Sequence, residues 1–345
     1  MTHTLFIHGL KGGRLVDDTG ALCWVGGRHV LGRGRSIALP LEWDDARQGS
    51  DDLRPDGPLE RVDFVPGLLG RAMYGPWLNF GRRHWGERWH EFSYDWRRDN
   101  NETLQRLSDE LHALADSVGP VDIVGHSMGG MLALAHMLSV GDAAIRRVVF
   151  AGVPFVGGVA YLGDMHLGAA TGLNRRLLAP PVQLSFASVY SFFPLGRKRL
   201  LDQNGDAFEL EMFDPDTWER EGLGVFAAPD GMAKMYRSHL ERGLAAGARF
   251  RAHLQPRPST RIRAKILVVT GHGRVTPTQV MRAGPRAVRG WDFQTASPVD
   301  GDGRVRATAS TPPPPLDYEQ CFTTAEHGDL LSDPVIQRRV AAFLE

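Results

Sequence analysis

Cysteine is scarce in this chain of 345 residues, which holds only Cys23 and Cys321. Two thiols so far apart make neither a disulfide framework nor a metal knuckle. Lysine is almost as scarce, standing only at Lys11, Lys198, Lys234 and Lys265 among many dispersed arginines. Lys+Arg and Asp+Glu each total 40. A zero net charge with no basic tail excludes a polyanion binder, so no nucleic-acid partner is expected. No run of 18 or more apolar residues exists, which excludes a transmembrane helix. The first residues, Met1-Thr-His-Thr-Leu-Phe-Ile-His-Gly9, have no basic n-region and no h-region of useful length. No secretory signal is expected, and the location expected is cytoplasmic. His-Glu-x-x-His, Cys-x-x-Cys and the phosphate-loop Gly-Lys-Ser/Thr are all missing, so no metal or organic cofactor is expected. Apolar residues are not lacking. At 42% hydrophobic they suffice for a packed core and exclude global disorder.

Short apolar runs alternate with helical patterns, the signature of an α/β fold with a mainly parallel sheet. Strands are expected at Thr4–His8, Trp89–Tyr94, Val121–Gly125, Arg147–Ala151 and Lys265–Thr270. In Asn100–Val118, Leu104, Leu107, Leu111 and Leu114 recur at spacings of three and four, which predicts an amphipathic helix. Asn100 or Asn101 is placed to cap it, and Gly119-Pro120 to stop it. Asp333-Pro334 opens a final helix whose apolar face is Ile336, Val340, Phe343 and Leu344. Pro154 to about Pro258 breaks this rhythm. The stretch far exceeds an ordinary strand-to-helix connection. The expected organisation is therefore a core of residues 1–154 and 259–345 with a cap inserted at 155–258.

Gly125-His126-Ser127-Met128-Gly129 matches the nucleophile elbow. A buried-type strand precedes it and the helical Met128–Ser139 follows, the order that holds a serine on a strained turn. An ordinary glycine-rich turn is the competing reading. A serine hydroxyl needs a base within hydrogen-bond reach, and in this arrangement an acid and then a histidine follow the serine in the chain. His327 lies in the polar loop Thr323-Thr-Ala-Glu-His-Gly-Asp329 just before the last helix. His272 comes too early to leave the acid a loop of its own, and His126 is expected to pack beneath the serine. Val299-Asp-Gly-Asp-Gly-Arg-Val305 offers Asp302 as the acid, with Asp300 fitting the same spacing. The Asp-Gly pairs also suit a tight turn. A calcium loop is excluded, since Arg304 takes the next ligand position and no glutamate stands at the twelfth. Phe6-Ile-His-Gly-Leu-Lys-Gly-Gly13 places a glycine-rich turn after the first strand. The backbone N–H groups of Leu10 and Met128 are the expected oxyanion donors.

With Phe92-Ser-Tyr-Asp-Trp-Arg-Arg98, Tyr74-Gly-Pro-Trp77 and Gly301-Asp-Gly-Arg-Val305 before a late histidine, the chain resembles the bacterial lecithin:cholesterol acyltransferase-like branch of the α/β-hydrolases. The similarity runs from about residue 4 to 330 and includes Ser185-Phe-Ala-Ser-Val-Tyr-Ser-Phe-Phe-Pro194. It implies an α/β-hydrolase fold with helices on both faces of the sheet, Ser127 as nucleophile, Asp302 as acid and His327 as base. Asp95 and Arg97 take structural roles in that resemblance. The branch usually has threonine in place of Arg304 and an apolar residue in place of Lys11. Lys11 is expected to point to solvent, with contact to an anionic head group the alternative. Neither the lid disulfide nor the leader of the animal enzymes is expected here, which counts against a lipoprotein substrate and against interfacial activation by an equivalent lid.

The activity expected is acyl transfer from an ester through a serine acyl-enzyme, lipase- or phospholipase-like, to water or another hydroxyl. Leu178, Phe186, Tyr190 and Phe193, in two apolar stretches of the insertion, are candidates to line an acyl-chain site or to touch a membrane surface. They fit the core of the insertion equally well. A soluble ester or lactone is the second substrate class, and a non-catalytic binding protein on this fold the third reading.

Overall fold

A computed structural model describes residues 2–65, 69–227, 232–277, 280–294 and 299–345. Its central sheet has six strands, β1 (Thr4–Ile7), β2 (Trp89–Phe92), β3 (Val121–His126), β4 (Ile145–Ala151), β5 (Lys265–Gly271) and β6 (Glu319–Thr323). They lie side by side in the order β2–β1–β3–β4–β5–β6, and every neighbouring pair is parallel. Five match the expected strands to within two residues at either end. The sixth, β6, was not foreseen, because its Glu319-Gln-Cys-Phe-Thr323 sequence is polar and half-exposed, as an edge strand allows.

Alternation along the strands sends side chains to two faces, and each face builds its own core. Leu5, Ile7, Ile123, Val148, Phe150, Ile266 and Val268 point one way. Phe6, Val124, Val149, Leu267 and Val269 point the other. The second face is covered by helix α1 (Gly75–Trp85) through Trp77, Leu78 and Trp85, and by the C-terminal helix (Pro334–Leu344) through Ile336, Val340, Phe343 and Leu344. The first is covered by α2 (Asn100–Val118) and α3 (Met128–Ser139). Asp99, and not Asn100 or Asn101, caps α2, its carboxylate accepting from the Asn101 N–H at 2.9 Å. Asn100 is fully buried with its amide turned to the Ser188 carbonyl, so it is spent elsewhere. Asp333 caps the last helix as its sequence predicts.

Between β4 and β5 the chain leaves the sheet. It forms α4 (Ala160–Leu167), two hairpins, several short turns of helix and the long α5 (Met232–Ala252), and the Pro334–Leu344 helix is accordingly α6. Buried residues here, among them Leu162, Leu184, Val189, Leu240 and Leu244, belong to the same continuous core as the first sheet face. A segment braced by a buried charge joins the two through its backbone. Arg97 is fully buried, and its guanidinium donates to Asp95 at 2.7 and 3.0 Å, to Asp51 at 2.7 and 2.9 Å, and to the Ile37 carbonyl at 2.9 Å. Burial opposes its charge, but the two carboxylates more than offset that and raise its pKa. The Arg97 carbonyl accepts from Ser188 N–H of the insertion, and the Ser188 hydroxyl donates to the Trp96 carbonyl at 2.7 Å. Asp95 and Arg97 are thus structural in this fold. Among the described residues, no helix is long and apolar enough to cross a membrane.

Candidate active site

In an open parallel sheet the ligand crevice lies beyond the carboxyl ends of the strands, where the winding direction reverses. Here the reversal falls between β1 and β3, since β2 lies outside β1 and the later strands follow β3. The segments leaving those two ends are Gly9-Leu10 and Ser127-Met128. Ser127 sits at φ 51° and ψ −120°, a conformation that side chains rarely adopt. The turn is tight because α3 packs directly on β1. A Cβ at Gly129 would collide with the backbone carbonyls of Ile7 and His8, so only glycine fits there.

The loops after β5 and β6 bring the remaining groups to the same edge. His327 Nε2 lies 3.0 Å from Ser127 Oγ, and His327 Nδ1 lies 2.7 Å from Asp302 Oδ2. Asp302 is 2% exposed and also accepts from the N–H groups of Arg304 at 2.9 Å and Val305 at 2.7 Å. Burial alone would raise its carboxyl pKa. His327 and the two backbone donors outweigh burial and hold it below the ordinary carboxylate range. The His327 N–H donates to the Asp302 carbonyl at 2.9 Å, so the two loops are joined through backbone as well as side chains. With a carboxylate on Nδ1, the imidazole donates there and leaves Nε2 to accept the serine proton.

Asp300 does not join this group. It is exposed and accepts from the Gly273 N–H at 2.5 Å. His272 stacks edge-on against Phe322 and makes no bond to the serine. His126 does pack beneath the elbow. Its Nε2 donates to the His327 carbonyl at 2.8 Å and its Nδ1 accepts from the Tyr74 hydroxyl at 2.6 Å. Tyr74 in turn accepts from the Gly9 N–H at 3.0 Å. Burial first, then the neighbouring His327, keeps His126 neutral with a pKa lowered to about 3. One chain of hydrogen bonds therefore ties the Gly9 turn, the start of α1, the elbow and the histidine loop together. Tyr74 stands in a motif quoted above, but nothing in its spacing signals this role.

Met128 is the first residue of α3, where unpaired N–H groups and the helix dipole favour negative charge. Among the described hydrogen bonds, neither the Met128 nor the Leu10 N–H has a partner. Gly152, just beyond β4, is a site residue that the sequence did not reveal. It has φ 58°, and a Cβ there would stand 3.1 Å from both Asp302 Oδ2 and His327 Nδ1.

A pocket of about 930 Å³, counting its solvent-open part, meets Ser127, His327 and Leu10. Val159, Ala160, Tyr161 and Phe192 give it an apolar wall. Leu178, Phe186, Tyr190 and Phe193 are not part of that wall. They are at most 4% exposed and packed inside the core, so these four side chains are interior packing, while Phe192 of the same stretch as Phe193 reaches the pocket. The Tyr190 hydroxyl is spent on the Leu184 carbonyl. Lys11 does not point to solvent either. Its ammonium lies 3.1 Å from Gln183 Oε1 and 3.7 Å from Asp164, above the Tyr161 ring. Burial lowers its pKa to about 8, and Asp164 resists that fall. Arg304 grips the same Asp164 through two bonds at 2.9 and 3.3 Å. Among the described residues, no cluster of three or more His, Cys, Asp or Glu could hold a metal ion.

A solved chain of the Tle4–Tli4 complex is similar in fold, with a TM-score of 0.57 at 13% identity over 98% of this chain and 96% of that one. The mature Bacillus licheniformis lipase BlEst2 is more distant, with a TM-score of 0.43 at 11% identity over 99% of this chain and 91% of that one. No curated protein matches the chain. Residues 5–303, which include the elbow and Asp302, match the alpha/beta hydrolase family. An elbow after the third strand of a parallel sheet, with its partners on later strand ends, agrees with that match, and the chain belongs to the alpha/beta hydrolase family.

Proposed function

We propose that the protein is a serine-dependent hydrolase of carboxylic esters. The observation that carries this reading is the continuous Ser127–His327–Asp302 hydrogen-bond series, with links of 3.0 and 2.7 Å, opening into a pocket. His327 Nε2 takes the Ser127 proton as Oγ bonds to the ester carbonyl carbon. The N–H groups of Leu10 and Met128 hold the negative oxygen, and Asp302 stabilises the imidazolium. Collapse breaks the bond to the alcohol oxygen, which leaves with the proton from His327. Water then loses a proton to His327, attacks the acyl-enzyme, and releases the carboxylic acid and free serine. An alcohol in place of that water would make the reaction a transfer.

For the substrate there are two readings. The sequence resemblance supports a lipid acyl ester, cleaved in lipase or phospholipase fashion at a membrane surface. The packing of Leu178, Phe186, Tyr190 and Phe193 into the core supports a soluble ester, because it removes the side chains that would have lined a long acyl channel. On that packing, the soluble ester is the reading favoured here.

Labelling with a fluorophosphonate probe tests the chemistry. Wild-type protein should label and the Ser127→Ala variant should not, while its turnover of 4-nitrophenyl esters falls about a millionfold. Retention of more than about a tenth of the activity would remove the mechanism, since an essential nucleophile is worth far more. Folded wild type that neither labels nor turns over would favour a binding protein on this fold.

A further inference from the structure

The chain is electrically balanced, with 40 cationic and 40 anionic side chains, but the pocket at Ser127 is not. Lys11, Lys198, Arg304 and Arg306 all line it, and its lining includes no Asp or Glu. Lys11 and Arg304 share the carboxylate of Asp164, just behind the wall. Lys198 and Arg306 have no acidic partner among the described residues.

Two solvated surface cations would need no explanation, but these are not fully exposed. Lys198 lies on the hairpin strand Arg197–Asp202 and Arg306 follows the Asp302 loop, and both are half-buried. They are near enough to repel. Burial first, and then Arg306, lowers the pKa of Lys198. A cation held partly out of water beside another cation, with no counter-charge, is a cost in the free protein. A bound anion would relieve it.

Resting on the serine-esterase reading above, we propose that this pocket selects esters that carry a second, anionic group, a carboxylate or phosphate bound by Lys198 and Arg306. The apolar wall at Val159, Ala160 and Phe192 takes the hydrocarbon part, and the two cations take the charged end. Asp164 keeps Lys11 and Arg304 occupied, which leaves the unpaired couple as the specificity element.

Matched ester pairs test this. The first is 4-nitrophenyl hydrogen glutarate against 4-nitrophenyl pentanoate, with the charge on the acyl side. The second is 1-butanoylglycerol 3-phosphate against 1-butanoylglycerol, with the charge on the alcohol side. In at least one pair, wild-type kcat/KM should favour the anionic member at least tenfold. The Lys198→Gln/Arg306→Gln variant should lower that ratio at least tenfold, or about 1.4 kcal/mol, chiefly through KM, since charge-assisted bonds to the anion are lost. The pair that shows the effect identifies the side of the ester that carries the anion. A wild-type ratio near one in both pairs, or a ratio that the double variant leaves within twofold, overturns the proposal.

Calorimetric titration separates this from failure of the esterase reading. Ser127→Ala protein, with and without the two Gln substitutions, is titrated with hydrogen glutarate monoester and pentanoate ester. Tighter binding of the anion, lost in the Gln variant, supports the charge preference even if wild type cleaves neither ester. The 1-butanoylglycerol 3-phosphate and 1-butanoylglycerol pair is titrated in the same way, and equal binding within both pairs overturns the proposal even if wild type cleaves every ester.

Discussion

Removing one oxygen atom, in Tyr74→Phe, tests whether the hydrogen-bonded strut beneath the elbow positions the site. The hydroxyl accepts from Gly9 N–H at 3.0 Å and donates to His126 Nδ1 at 2.6 Å. Tyr74 is 5% exposed and His126 4%, so water does not readily replace it. Each buried polar group left without a partner costs about 1–3 kcal/mol. Two such groups predict a loss of about 2–6 kcal/mol and, in a chain of this size, a melting temperature lower by about 3–8 °C. The functional effect should be separate. Gly9 precedes Leu10, whose N–H is the proposed oxyanion donor, and losing such a donor outright costs about a hundredfold or more in kcat. A loosened donor should cost less, about tenfold, and KM should hardly move because the pocket wall is untouched. Differential scanning fluorimetry and steady-state hydrolysis of a 4-nitrophenyl ester read the two effects. A variant that melts within about 1 °C of wild type, or that changes KM and leaves kcat alone, refutes the strut.

Other substitutions probe the rest of the site. Asp302→Asn should reduce kcat by about 10⁴, since an amide favours the wrong imidazole tautomer, while Asp300→Asn stays within a few-fold. The reverse ranking would move the acid. Gly152→Ala combines an unfavourable φ of 58° with a methyl group 3.1 Å from Asp302 and His327, and should lower both thermal stability and kcat. Wild-type values for both would show that the site has more room than the structure gives it. Burial holds His8, His136 and His239 at about 4 and His126 at about 3. Unfolding returns each to about 6.5, so below that pH the unfolded chain binds more protons and stability falls with acidification by about 1.4 kcal/mol per pH unit per histidine. Urea unfolding between pH 7 and pH 5 checks this, and a flat profile would contradict it.

Much of the architecture was legible because strand and helix periods leave a direct mark on residue order. Val121–His126 reads as a strand buried on both faces, and the structure buries all six residues. The strand–elbow–helix order around Ser127 was legible for the same reason. Three features were not. Asp302 and Asp300 share one spacing, and only the pairing of the Asp300 strand with Arg274–Thr276 turns one carboxylate outward and the other to His327. The apolar residues Leu178, Phe186, Tyr190 and Phe193 carry no sign of whether they face a pocket or a core, and packing alone decides that. Gly152 and Tyr74 act through neighbours more than 50 positions away in the chain, where local pattern has no reach.

The buried Arg97 has a consequence for how the 155–258 segment is held. Asp95, Asp51 and Ile37, which hold its guanidinium, all lie outside the 155–258 segment, so lifting that segment as one rigid flap would leave the ion pairs intact and break the Ser188 bonds to the Arg97 and Trp96 carbonyls. The ion pairs thus stiffen the bed on which the segment is seated, and the Ser188 bonds fasten the segment to it. The Gly157-Gly158 stretch of the pocket lining lies apart from that junction, and among the described hydrogen bonds its N–H groups are held by the Pro154 and Phe192 carbonyls alone.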